Sequence, residues 1–305
     1  MSDHKMRSHI LIILAAWIAT ASALCHADPE DFPPGSYELE LGARPGAPYP
    51  PLQNYNIDLS AQGSGPDYSV EVSRHHIIPY NVLRAFYNRV METHGEILRF
   101  RSFLIVFGRN IPSYASAASL DCERNRLDYL EASNLALAVA DNYARWGGNR
   151  PPPGLDTFQE FYTWLPGNLF IGPNNRSDDP GEGFEEGAVE IVGQNAFNTL
   201  SSVYQNMVRY NNGDQSVLGS IVTGLTQIAD RRSVYPLYSG DWQYINGEYR
   251  IKTPQGKRTN THPTSIPASA ATSDTCNSII PDFEKIKAKY AFPVISPTNL
   301  LWDRK

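Results

Sequence analysis

Ser73-Arg74-His75-His76-Ile77-Ile78-Pro79, followed about ninety residues later by Trp164-Leu165-Pro166-Gly167-Asn168-Leu169-Phe170-Ile171-Gly172-Pro173, is the pair of segments on which the reading of this chain turns. Tyr68-Ser69-Val70-Glu71-Val72 alternates like a half-buried strand. The two histidines end it, and Pro79 stops it because proline has no N–H to give to a ladder. The second segment reads as a short apolar strand from Asn168 to Ile171. A turn over 174–183, dense in Asn, Asp, Gly and Pro, follows it. Paired histidines at a strand end suit proton transfer, because neutral imidazole near pH 7 can take a proton from water. An asparagine carbonyl nearby can accept the other ring N–H and so fix the tautomer.

Outward from these segments the chain is mostly helical. Val82 to His94 has apolar residues at 82, 83, 86, 90 and 91, a helical period. Ile97 to Phe107 is apolar throughout, and periodicity does not decide between helix and strand. Ser119 to Trp146 reads as a long helix stopped at Gly147-Gly148, and Asp156 can cap a short helix through Trp164. Further helices are expected over 185–211 and 215–230. Trp242 to Ile251 is a hairpin, because Asn246-Gly247 separates two alternating runs. Residues 253–275 read as a loop, with a short helix near 282–290 and an apolar tail at Leu300-Leu301-Trp302.

The chain has 305 residues, 41% hydrophobic and 19% charged, enough to bury a core without staples. Residues 1–27 read as a signal peptide. Lys5 and Arg7 precede an apolar run from Ile10 to Leu24, and Cys25-His26-Ala27 offers small residues before Asp28. Without that leader the net charge falls from −6 to near −7, which argues against coating nucleic acid by bulk charge and leaves room for a locally basic cleft. Export to an extracellular or periplasmic space, with no stable membrane association after cleavage, is expected. In such an oxidising compartment the two remaining cysteines, Cys122 and Cys276, form an even pair that suggests one disulfide. The expected organisation is a leader at 1–27, a Pro/Gly-rich extended arm at 28–66, a helical domain at 67–235, and a hairpin and tail at 236–305.

His75-His76-Ile77-Ile78-Pro79 resembles the opening of HNH-type nucleases, whose site is a ββα metal finger and which include colicin-like DNase toxins. Asn168 to Pro173 resembles the family's second strand. The likeness covers about 20 residues. It implies that His76 is the general base, that His75 is a metal ligand, and that Asn168 braces the loop carrying the base. Where the family's helix supplies a last ligand, often His or Asn, this chain has no histidine. An oxygen or amide from Asn174, Asn175, Asp178 or Asp179 must serve, with Asn175 and Asp178 favoured. That shifts the expected metal toward Mg²⁺ or Mn²⁺. Arg74 and Arg176 are candidate phosphate contacts, while His94 and His262 read as surface residues.

The fold expected is therefore α+β: a mostly helical body with an embedded ββα-like finger and a C-terminal hairpin. The function expected is a secreted metal-dependent phosphodiesterase, an HNH-like endonuclease acting on nucleic acid, with an immunity or inhibitor protein as a further partner. Two other readings stay open. One is a secreted effector or binding protein that keeps the scaffold without catalysis. In the other, the histidines simply end a strand ahead of a helix. No Gly-x-Ser-x-Gly and no phosphate-cradling glycine loop is present to support a different hydrolase.

Overall fold

Helices make up most of the described chain, and one antiparallel strand pair joins segments far apart in sequence. The computed structural model describes residues 38, 39, 44–141, 152–252, 276 and 279. The leader, part of the arm, and all of 253–305 except Cys276 and Ile279 lie outside the described residues. Residues 34–305 cluster as one compact unit, so 67–235 and 236–305 are not set apart as separate bodies.

Three two-stranded antiparallel sheets are present among the described residues. Strands β1 (Asn54–Tyr55) and β2 (Gln62–Gly63) form a small ribbon in the arm. Strand β3 (Val72–His76) pairs with β4 (Leu169–Pro173). Strands β5 (Trp242–Ile245) and β6 (Glu248–Ile251) make the expected hairpin. Its turn residues Asn246 and Gly247 have φ of 54° and 88°, the left-handed pair that a two-residue turn of this kind demands.

Seven α-helices complete the described chain: α1 (Tyr80–Met91), α2 (His94–Ala117), α3 (Arg126–Ala140), α4 (Leu155–Thr163), α5 (Val189–Val192), α6 (Gln194–Asn211) and α7 (Leu218–Asp230). Helix α2 is the hub, packing on α1, α3 and α7, while α6 packs on α1 and α7. The undecided stretch 97–107 lies within α2. Phe100, Phe103, Leu104, Phe107 and Ile111 are fully buried on one face and Arg99, Arg101, Ser102 and Arg109 are exposed on the other, while the exposed Leu98 and the half-buried Ile105 and Val106 blur the period. Phe100, Phe103 and Phe107 stack along one face, with centroids 4.6 and 5.5 Å apart, and Phe86, Phe158 and Tyr162 close over them. Each buried ring contributes about 2–3 kcal/mol of hydrophobic stabilisation. The α+β class expected from sequence, a helical body with small antiparallel strand pairs, is what the structure has.

The structure joins Cys122 and Cys276 in a disulfide, with Cα atoms 5.2 Å apart. No helix among the described residues is long and apolar enough to cross a membrane.

Candidate functional site

β-ladder register brings the two key segments together. His75 lies opposite Phe170, and His76 lies opposite Leu169. The strand ends at the two histidines, as the sequence suggests, and its partner at 169–173 sets the pairing. Asn168 stands just before β4 and is buried to 1% exposure. Its side-chain oxygen accepts the Ile78 N–H at 2.7 Å, and its amide donates to the Ile78 carbonyl at 2.9 Å. Its backbone carbonyl accepts the Ile77 N–H at 3.0 Å. Asn168 therefore clamps the loop between the histidines and α1, just before Pro79 turns the chain into that helix.

The expectation that the Asn168 carbonyl orients the base directly is corrected by this geometry. His76 Nε2 lies 2.7 Å from the Thr163 carbonyl at the end of α4. A carbonyl only accepts, so Nε2 carries the proton and Nδ1 keeps its lone pair. The ring also packs on Trp164, with centroids 4.8 Å apart. Burial, with help from the charges of Arg44 and His75, lowers the His76 pKa to about 4, against the opposing pull of the Thr163 bond. His76 is accordingly neutral at pH 7.

His75 takes the other face of the strand. Its ring stacks on Phe170 at 5.2 Å. Its Nε2 lies 3.1 Å from Ser73 Oγ and 3.3 Å from the Gly172 carbonyl. Gly172 is required here, since a Cβ at that position would meet the Trp242 ring at 2.7 Å. His75 Nδ1 faces Asp179 Oδ2 at 3.4 Å. Burial and the positive charge of Arg176 lower the His75 pKa, while Asp179 opposes them.

The other predicted residues divide sharply. Asp178, expected as a ligand, is turned away from His75. One of its carboxylate oxygens meets Arg176 Nε at 3.0 Å and the other accepts the Ile251 N–H at 2.8 Å. Its neighbour Asp179 holds the place by the imidazole. Asn175 donates to the Gly247 carbonyl at 2.7 Å and belongs to the hairpin contact. Arg176, expected at a phosphate, has a fully buried side chain. Its guanidinium lies between the rings of Phe170 and Trp242, at 5.5 and 5.2 Å, and its Nη1 sits 2.9 Å from Glu185 Oε2. Burial raises the Glu185 pKa and Arg176 opposes the rise. This buried ion pair ties the acidic turn to the sheet and presents no charge to a ligand. The stretch 174–183 is a turn, as its Asn, Asp, Gly and Pro content suggests, and a short 3-10 segment at Glu186–Ala188 follows it.

Arg74 stays at the site. It lies over the Tyr49 ring at 5.1 Å and donates to the Pro50 carbonyl at 2.8 Å. Together these groups line a cleft of about 510 Å³ that takes in both histidines, Arg44, Trp164, Asp179 and Glu182. Arg44 and Trp164 escaped the sequence reading. Arg44 lies in a Pro-rich arm with no periodicity, and long-range bonds such as that from Trp164 Nε1 to the Pro45 carbonyl, 2.7 Å, and that from Tyr49 Oη to the Trp164 carbonyl, 2.6 Å, reveal where that arm docks.

His75 Nδ1 and Asp179 Oδ2 are the two donors here that could share a cation, provided His75 Nε2 donates to the Gly172 carbonyl and leaves the Nδ1 lone pair free; in the other tautomer Nδ1–H faces the carboxylate itself. Two donors each about 2.1 Å from one ion, at ordinary coordination angles, stand roughly 3.0–3.4 Å apart, and the observed separation is 3.4 Å. No group of three or more His, Cys, Asp or Glu side chains is gathered to hold a metal among the described residues.

No family model matches the chain and no solved structure matches it. It is 37% identical over 153 residues to protein p9 of Acyrthosiphon pisum secondary endosymbiont phage 1. The alignment takes in 47% of this chain and 41% of that protein, so the chain spans less than half the length of the relative it matches.

Proposed function

We propose that the protein is an exported, metal-dependent phosphodiesterase of HNH-like design that cuts nucleic acid. The observation that carries this reading is the arrangement of the histidine pair: β3 and β4 hold His76 neutral with one free nitrogen, and His75 beside a carboxylate, in one cleft. His76, its Nε2–H spent on Thr163, accepts the proton of an attacking water at Nδ1. Thr163 and Trp164 hold the ring in place, and Asn168 holds the loop that carries it. His75 and Asp179 would hold the cation. A bound Mg²⁺ or Mn²⁺ would polarise the phosphate and stabilise the departing oxyanion. The leader-like N-terminus and the Cys122–Cys276 pairing support export.

A second reading, an exported binding protein without catalysis, draws on the absence of a third gathered side-chain donor among the described residues. A plasmid-nicking assay separates the two. Nicking with Mg²⁺ or Mn²⁺ that EDTA abolishes supports the enzyme. An intact plasmid under both conditions, with the protein folded by circular dichroism, removes it.

A further inference from the structure

The cleft carries charges of both signs: Asp179, Glu182 and Glu185 line it together with Arg44, Arg74 and the two histidines. Arg44 is exposed, and its guanidinium lies 5.5 Å from the centroids of both the Tyr80 and the Trp164 rings. Trp164 is the same ring that packs on His76. Among the described residues Arg44 has no ion-pair partner, unlike Arg176, whose charge is spent inside. Two rings restrict its rotamers in advance, so a ligand need not order a long side chain on binding. Its planar fork suits two oxygens of one phosphate.

We infer that Arg44, held between Tyr80 and Trp164 beside His76, is the residue that binds the substrate's phosphate. The inference rests on the phosphodiesterase reading and deepens it, naming a polynucleotide backbone as the ligand of Arg44. His76, whose ring shares Trp164 with Arg44, and the His75–Asp179 pair line the same cleft, so a phosphate held by Arg44 would lie in the cleft that holds the proposed base and cation donors. An overall net charge of −6 does not oppose this, because the contact is local and Arg44 has no ion-pair partner among the described residues.

The test uses His76→Ala as background, so that binding is read without turnover. A labelled single-stranded oligodeoxynucleotide is titrated in Ca²⁺ by fluorescence anisotropy across a salt series. Adding Arg44→Gln should weaken binding about tenfold and flatten the salt slope by about one phosphate contact, roughly 0.7 in log–log terms. Arg44→Lys should restore the slope but only part of the affinity, since it keeps the charge and loses the fork. Unchanged affinity and slope in Arg44→Gln overturns the assignment, even where the wild-type chain nicks plasmid. Arg44-dependent binding with no nicking by the wild-type chain upholds the phosphate site and removes the catalytic reading instead. No oligonucleotide binding by the background chain at any salt removes the Arg44 assignment.

Discussion

The aromatic helical core and the histidine cleft meet along α1 and α4, yet they are built on opposite terms. In the core, Phe86, Phe100, Phe103, Phe107 and Phe158 are fully buried and touch one another edge-on or stacked. Nothing there titrates near neutral pH, and the gain comes from area and packing. In the cleft, two imidazoles, a buried guanidinium and a buried carboxylate are kept where water would solvate them better. Such groups cost stability unless each finds a partner. The core is arranged to be stable, and the cleft gives up some of that stability to hold particular protonation states.

The comparison breaks first on activity. His76→Ala should cut turnover by about 10²–10⁴ while leaving the unfolding midpoint nearly unchanged. Initial rates of nicking beside a urea titration check this, and equal rates would end the role of His76 as base. Phe103→Ala reverses the pattern. It should cost about 3–5 kcal/mol in urea unfolding, with the remaining folded fraction as active per molecule as wild type. Asn168→Ala lies on the border. Losing both side-chain bonds to Ile78 should cost about 2–4 kcal/mol and slow turnover together, because the clamp serves fold and site at once.

Acid sharpens the contrast further. His76 has a folded pKa of about 4, below that of a free imidazole, so the folded state disfavours its protonation. The stability this gives is full above about pH 6.5 and is lost as pH falls through about 4, up to about 3 kcal/mol. His75, lowered in the same direction by burial and Arg176, adds to that slope. Urea midpoints in EDTA between pH 7 and 4 should fall for the wild-type chain and fall less for His76→Ala. The smallest effect belongs to neither region. Arg101→Ala breaks an exposed pair with Asp141 and should change stability by less than about 1 kcal/mol.

The parts legible in sequence were those with local causes. Asn246-Gly247 gives its turn away because few other residues enter that backbone region. The loop clamp by Asn168 was implied by the resemblance to HNH-type nucleases, not by a local signal, since its partner Ile78 lies far back in the chain. Non-local causes stayed hidden. The strand's start at Val72 rather than at Tyr68 is fixed by a partner about a hundred residues away. The expected single helix over 185–211 is interrupted at Gly193, whose φ is 79°. Asp178 and Asp179 look alike in sequence, and only the hairpin's Ile251 N–H and the position of Arg176 decide which of them turns away from the imidazole. Arg176 looked like a surface charge because no local pattern announces the two rings around it.

The hairpin's grip on the acidic turn bears on what can be cut out of this protein. Tyr249 N–H bonds the Asn175 carbonyl, Ser177 N–H bonds the Tyr249 carbonyl, and Arg250 Nε donates to Ser177 Oγ at 2.6 Å. The place of Asp179 thus depends on residues about seventy positions further along, and the place of Trp164 on an arm more than a hundred positions earlier. A minimal metal finger is a contiguous module that can be transplanted. This cleft draws on an arm, two paired strands, a turn and a distant hairpin, so it cannot be lifted out as a cassette or swapped between scaffolds.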